Sequence, residues 1–306
     1  MRRPEFAIVI AVIAVSFSSI FIKWGYEENL EPLAIAFYRL LFTTLLLLPF
    51  ALFMQGTELK AIGGKRLGVL AVIGFVLSLH FSLWISSLEL TSVASSVLLV
   101  TVHPILVGSV SHFFMKDRLT KFNFIGITVA IFGMIILTFE DFEGVGALTG
   151  TRALGDLLAF AAGICAGVYI LGGRKMRRNL PVITYAFLVY LFCTIFLLIG
   201  CLVTGTALAP LSTNAWILLV VMALVPGILG HTLYNWSLKH VTATVVSVSL
   251  LGEPIGSSLL ALILLGEELT GFVLIGGAFI LIGILMTSMK KKRKRKKRHK
   301  YASASD

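Results

Sequence analysis

Charge is scarce in this chain. Of 306 residues only 13% are Asp, Glu, Lys or Arg, 58% are hydrophobic, and the mean hydropathy is +0.96. Soluble domains carry about 25% charged residues, so a soluble globular protein is excluded and an integral membrane protein is implied. Cysteine is nearly missing. Cys165, Cys193 and Cys201 lie inside apolar runs with no second ligand at a recognised spacing, which argues against a disulfide framework and against a metal site. Also missing are an HExxH, a paired acidic motif and a glycine-rich phosphate loop, so nothing points to an enzyme or calls for a cofactor.

What the chain has is long apolar runs. Crossing ~30 Å of hydrocarbon takes roughly 20 residues at ~1.5 Å each. Ten such runs can be drawn: Phe6–Gly25, Leu33–Met54, Leu67–Ser87, Val93–Met115, Phe122–Phe139, Leu154–Gly173, Ile183–Val203, Ala215–Ser237, Val241–Leu265 and Gly271–Met289. If all ten cross in alternation, the cations Arg2, Arg3, Lys60, Lys65, Arg66, Lys116, Arg118, Lys121, Arg174, Lys175, Arg177, Arg178 and Lys239 share one side. Glu27, Glu28, Glu31, Glu89, Glu140, Asp141, Glu143, Glu267 and Glu268 share the other, with Arg152 the only cation among them. Cytoplasmic loops are the cationic ones. The expectation is a multi-pass protein of the plasma membrane with both termini cytoplasmic and with Glu143 and Lys175 on opposite faces.

Arg2-Arg3 before an apolar run resembles a secretory signal, but a run of this length leading straight into another span reads as a first helix that stays. The tail KKKRKRKKRHK, Lys290–Lys300, taken alone would suggest a nucleic-acid patch. Directly after a span, residues 290–306 read as a disordered polybasic tail that attracts anionic lipid at ~1 kcal/mol per cation, with no nucleic acid as partner.

Offsetting the chain by 150 residues aligns its halves without a gap from Leu83 to the last run: Ser87 on Ser237, Pro104 on Pro254, Leu119-Thr120 on Leu269-Thr270, Gly126 on Gly276 and Gly133 on Gly283. Upstream, Pro32 falls on Pro181 with an offset of 149. Each half, residues 6–139 and 154–289, holds five runs, and because five is odd the second enters the membrane the other way up. Two inverted five-helix repeats about an axis in the membrane plane are the architecture of many secondary transporters, and ten helices so arranged suffice for a monomer.

The paired blocks from Ser87 (SLELTSVASSVLLVTVHPILVG) and Ser237 (SLKHVTATVVSVSLLGEPIGSS), with Trp24, Pro32, Phe37–Arg39, the GDLLAF from Gly155, and Leu180-Pro181, resemble the EamA-type members of the drug/metabolite transporter superfamily. The resemblance covers nearly all of residues 6–289. It implies a ten-helix carrier whose first, third, fourth, sixth, eighth and ninth helices surround a central cavity. Relatives export amino acids and other small metabolites, and superfamily cousins move nucleotide sugars.

Polar residues inside the runs are costly and mark candidate sites. His103 and Glu253 occupy equivalent positions, each about ten residues into its run and therefore near mid-membrane. Each precedes a proline, Pro104 and Pro254, which removes a backbone donor and either kinks the helix or offers the carbonyl of Val100 or Leu250 to a cavity. Gly252/Gly256 and Gly163/Gly167 have GxxxG spacing, which permits close helix approach. Glu253 reads equally as a proton acceptor coupled to substrate movement, with His103 as partner or substrate contact, and as a structural group bonded to the freed backbone. His80 and Trp84 share a helical face, as do His231, Tyr234 and Asn235; with Tyr169 and Ser19 they are candidates for binding a substrate, against a competing role in packing. Arg39 reads as a contact for an anionic substrate, as snorkelling, or as paired with a carboxylate such as Asp156, and the resemblance, which places it outside the cavity-lining helices, favours a structural role; Lys23 reads as snorkelling.

These residues point to an exporter of small organic metabolites, amino acids first, working by alternating access and possible proton coupling. A nucleotide-sugar or organic-phosphate antiporter would need cations facing the phosphates. A channel or a membrane-embedded enzyme are the alternatives of another class.

Overall fold

The computed structural model describes residues 3–91, 96, 99–115, 119–137, 151–209, 211–265 and 271–288. The acidic residues 140–143 and 267–268, the cations Arg2, Lys116 and Arg118, and the polybasic tail lie outside the described residues. Among the described residues every regular element is helical. The elements are α1 Pro4–Glu27, α2 Pro32–Lys60, α3 Gly64–Leu90, α4 His103–Phe114, α5 Lys121–Leu137, α6 Thr151–Met176, α7 Val182–Thr204, α8 Thr213–Met222, a π-helical stretch Ala223–Thr232, α9 Leu233–Ser237, α10 Ala243–Ser249, α11 Gly252–Leu265 and α12 Gly271–Ser288.

Helix falls in all ten predicted runs, but the spans are unequal. Among the described residues seven are long and apolar enough to cross a membrane: α1, α2, α3, Ala153–Met176, α7, the continuous Thr213–Ser237 and Ala243–Leu264. Lys121–Ile136 and Leu274–Thr287 are shorter apolar helices.

Local chemistry sets the ends. Pro4 and Pro32 open α1 and α2, where a missing N–H goes unnoticed. The Ser212 and Thr242 side chains accept from the amides of Ala215 (3.0 Å) and Val245 (3.3 Å) at the starts of α8 and α10. Gly205 closes α7 at φ 71°, a left-handed conformation that favours glycine. Pro226 cannot donate, and the stretch around it widens into π-helix; the Thr232 hydroxyl donates to the Gly227 carbonyl at 3.2 Å.

Both proline-bearing spans are interrupted just before the proline. The backbone tightens to i→i+3 bonds, Ile105 N–H to Val102 at 3.0 Å, Leu251 N–H to Val248 at 3.1 Å and Glu253 N–H to Leu250 at 3.0 Å. The Leu250 carbonyl is thus satisfied within the chain. The Val100 carbonyl lies so close to Gly163 that a Cβ there would approach it to 2.6 Å.

Helices pack mainly across the halves, α3 on α6, α1 on the π-helical stretch and α11, α2 on α7, and α5 on α12. The α5–α12 seam is reciprocal. A Cβ on Gly133 would sit 2.6 Å from the Gly276 carbonyl, and one on Gly283 would sit 2.5 Å from the Gly126 carbonyl. Because Gly126 pairs in sequence with Gly276 and Gly133 with Gly283, this exchange of partners is what a two-fold relation between the helices demands. On α2 and α7, the hydroxyls of Thr44 and Thr194, 150 residues apart, face each other at 3.2 Å. The GxxxG glycines also mark close approach: Gly252 packs on Val12 and Gly256 on Ser16, while Gly163 and Gly167 pack on Leu99–Val100 and Leu106.

Segments expected on the same face touch. Glu28 accepts from the Ser212 hydroxyl at 2.5 Å and Glu31 from the Ala207 amide at 3.0 Å, while Arg174 donates to the Leu238 carbonyl at 2.6 Å. With Cys165, Cys193 and Cys201 replaced by serine, Thr44→Cys/Thr194→Cys should oxidise to a disulfide in nearly all molecules, since the two oxygens already stand close to bonding geometry. Cleavage at a protease site inserted between residues 139 and 152 should then leave the halves joined until reduction. Halves that separate without reductant would refute the contact.

Candidate functional site: a central cavity

Where the two interrupted spans meet α1, α3, α6 and the end of the eighth run, they leave a cavity of about 180 Å³. Its walls hold Ser18 and Ser19 from α1, His80 and Trp84 from α3, Thr101 and His103 at the start of α4, and Tyr169 from α6. His231, Tyr234 and Asn235 close it from the eighth run, and Glu253, Pro254, Ser257 and Ser258 from α11. His80, Trp84, His103, Tyr169, His231, Tyr234, Asn235, Glu253 and Pro254, singled out in the sequence, are brought together here. Pro104 is buried next to His103 but is not part of the lining.

Each side chain is held from behind. His103 Nδ1 lies 2.7 Å from the Ser247 hydroxyl of α10, and His80 Nδ1 lies 3.0 Å from the Ala162 carbonyl of α6. The Ser16 hydroxyl donates to the Glu253 carbonyl (3.3 Å), and that of Ser257 donates to the Ser16 carbonyl (2.9 Å), fastening α11 to α1. Asn235 donates through Nδ2 to the hydroxyls of Tyr169 (2.6 Å) and Tyr190 (2.9 Å). Its backbone carbonyl accepts from Arg177 Nε at 2.9 Å. His80 stacks on Trp84 at 6.1 Å between centroids, one turn along the same face.

Three polar atoms on these walls are buried with no hydrogen-bond partner: Trp84 Nε1, Tyr234 Oη and Asn235 Oδ1. Trp84 and Tyr234 are equivalent across the 150-residue offset. Buried polar groups are normally paired, and these three have essentially no exposed surface, so they lie sealed within the walls rather than open to the cavity.

Arg39 lies outside the lining. Its guanidinium stands 4.6 Å over the Phe81 ring, and Asp156, the partner considered from sequence, accepts instead from Thr91 at 2.6 Å. Sequence reasoning passed over Thr101, Ser18, Ser257 and Ser258, small polar residues common in packed membrane helices, and also Tyr190, which orients Asn235 from α7. The only signal for Tyr190 was a phenol in an otherwise apolar run.

The model of the EamA-like transporter family matches residues 2–139 and residues 153–289. An "Uncharacterized transporter" of Clostridium kluyveri is 25% identical over 298 residues, covering 95% of each chain, and one of Archaeoglobus fulgidus is 25% identical over 94% of this chain and 96% of its own. A third, YyaM of Bacillus subtilis, is 23% identical over 72% of this chain and 71% of its own. A solved crystal structure superposes with a TM-score of 0.77 at 18% identity, covering 93% of this chain and 96% of the other, which shows a shared fold. With the family model covering both halves of a chain rich in membrane-spanning helices, this protein belongs to the EamA-like transporter family.

Proposed function

We propose that the chain is a ten-span secondary transporter built of two inverted repeats, residues 6–139 and 154–289, which exports small organic metabolites, amino acids first among them, by alternating access. The observation that carries this reading is the cavity, lined by residues of both halves that include the equivalent His103 and Glu253 together with two further histidines, four serines and an asparagine. Inverted-repeat carriers place their substrates at such a site. Its size favours a small guest, since cavities for drug-sized ligands run to ~300–1,000 Å³. Glu253 supplies a carboxylate for an ammonium group, or an acceptor for a coupled proton. The histidines, serines and Asn235 supply neutral hydrogen-bonding groups. Among the described residues no lysine or arginine lines the cavity, which disfavours the nucleotide-sugar or organic-phosphate alternative. The Ser247 hydroxyl that meets His103 is fully buried and outside the lining, so this serine–imidazole contact presents no nucleophile to a solute, and a cavity shared by two repeats suits a carrier better than a channel.

The test compares the small metabolites in the medium of cells expressing the protein with those of cells expressing none, followed by counterflow of any enriched compound in proteoliposomes. Enrichment of one or a few amino acids with saturable counterflow is expected. Linear, unsaturable flux would indicate a channel, and a chemically altered solute an enzyme.

A further inference from the structure

Among the described residues Arg39 is a buried cation within a membrane-spanning helix that does not line the cavity. It sits in the second turn of α2 at 1% exposure, and its Nη2 has no hydrogen-bond partner. A bare cation is expensive at that depth, and a charge short of partners is more so. Packing does not explain its retention, because a Met or Leu could fill such a site without that cost. What surrounds it suggests a purpose. The guanidinium stands 4.6 Å from the centre of the Phe81 ring, and that ring also meets His231 (5.3 Å, edge-on) and His80 (5.0 Å), both on the cavity wall. Phe81, which is not part of the lining, and beyond it His80 and His231 therefore stand between a permanent positive charge and the cavity. Arg39 and Phe81 are both buried, so its field reaches Glu253, His80 and His231 through an interior of low dielectric.

We infer that Arg39 is a specificity-determining residue: from behind Phe81 it gives the cavity a positive pole to set against the negative one of Glu253, so that the site selects small molecules carrying both an ammonium and a carboxylate. The inference rests on reading the cavity as the substrate site. Phe81 keeps the guanidinium from closing an ion pair directly with its guest. The charge therefore acts through the field, attracting a carboxylate placed by the histidines without binding it so tightly that release fails. An amine lacking the carboxylate gains nothing from this pole.

The experiment measures binding to purified full-length protein in detergent, by calorimetry, for the proteinogenic amino acids and their decarboxylated amines, such as leucine against 3-methylbutylamine and phenylalanine against phenethylamine. The wild-type protein should hold its preferred amino acid about 10-fold or more tighter than the matched amine. Arg39→Gln should bring that ratio to within about threefold by weakening the amino acid alone, and Arg39→Lys should keep it. A purely structural Arg39 would weaken amine and amino acid equally, which would overturn the inference, as would an unchanged ratio. If Arg39→Gln is not recovered folded, Arg39→Lys decides, retention of the preference supporting the inference and its collapse refuting it. Should the wild-type protein bind none of the panel while saturable counterflow of another solute is found, the inference falls and the transporter reading stands; if counterflow is absent as well, both fall.

Discussion

Glu253→Gln should reduce counterflow of the exported metabolite by about 10- to 100-fold while leaving the amount of folded protein and its melting temperature unchanged. Glutamine keeps the volume of the side chain and its capacity for hydrogen bonds, so the α11–α1 contacts through Ser16 and Ser257, which run through backbone and hydroxyl groups, persist. What disappears is the carboxylate on the cavity wall, and with it both the counter-charge for an ammonium and the acceptor for a proton. Couplings between a ligand and a conformational equilibrium are typically worth about 1–3 kcal/mol, or 5- to 150-fold, which sets the scale of the loss. Glu253→Asp, one methylene shorter but still ionisable, should retain more flux than Glu253→Gln. Wild-type flux in Glu253→Gln would show that the carboxylate serves packing alone. Loss of flux together with loss of folded protein would show that it holds the halves in register.

Gly133→Leu should be strongly destabilising. A Cβ at residue 133 meets the Gly276 carbonyl at 2.6 Å, the Ile280 amide at 2.7 Å and the Phe279 Cβ at 2.7 Å. Two of these are backbone atoms in a facing helix and cannot rotate away, so α5 and α12 must separate. Overpacking where side chains can adjust costs about 1–3 kcal/mol, and here the cost should lie at or above the upper end. At roughly 2–4 °C per kcal/mol, the melting temperature in detergent should fall by about 6 °C or more. Gly283→Leu should behave alike, because its Cβ would meet Gly126 and Ala130. Gly68→Leu, with open space around it, is the control and should leave the melting temperature in place. Equal melting temperatures for Gly133→Leu and Gly68→Leu would dismiss the seam.

Hydropathy and the 150-residue offset located the helical runs because a membrane helix must satisfy its backbone internally and be apolar throughout, a signal that survives without knowledge of contacts. The same offset picked out His103 and Glu253, and the i, i+4 spacing picked out His80 with Trp84, since both are properties of helix geometry. Tertiary detail was not legible. Nothing in YRLLF distinguishes an arginine that pairs with Asp156 from one laid over Phe81, because that choice depends on which helix packs behind α2. The π-helical stretch was hidden too: Pro226 signals a disturbance, but whether the chain kinks or widens depends on neighbours. Thr44 and Thr194 lay in plain view at the right offset, yet only the fold reveals that they meet.

The α5–α12 seam limits how the halves can move. Each glycine has a facing carbonyl about one van der Waals contact away, so shifting one helix along the other by even a single residue's rise, ~1.5 Å, would drive the flanking side chains into backbone. Tilting about either backbone contact, Gly133 on Gly276 or Gly126 on Gly283, crushes or opens the other about two turns away. Bare backbone against bare backbone makes this seam a clamp that carries its two helices as one body.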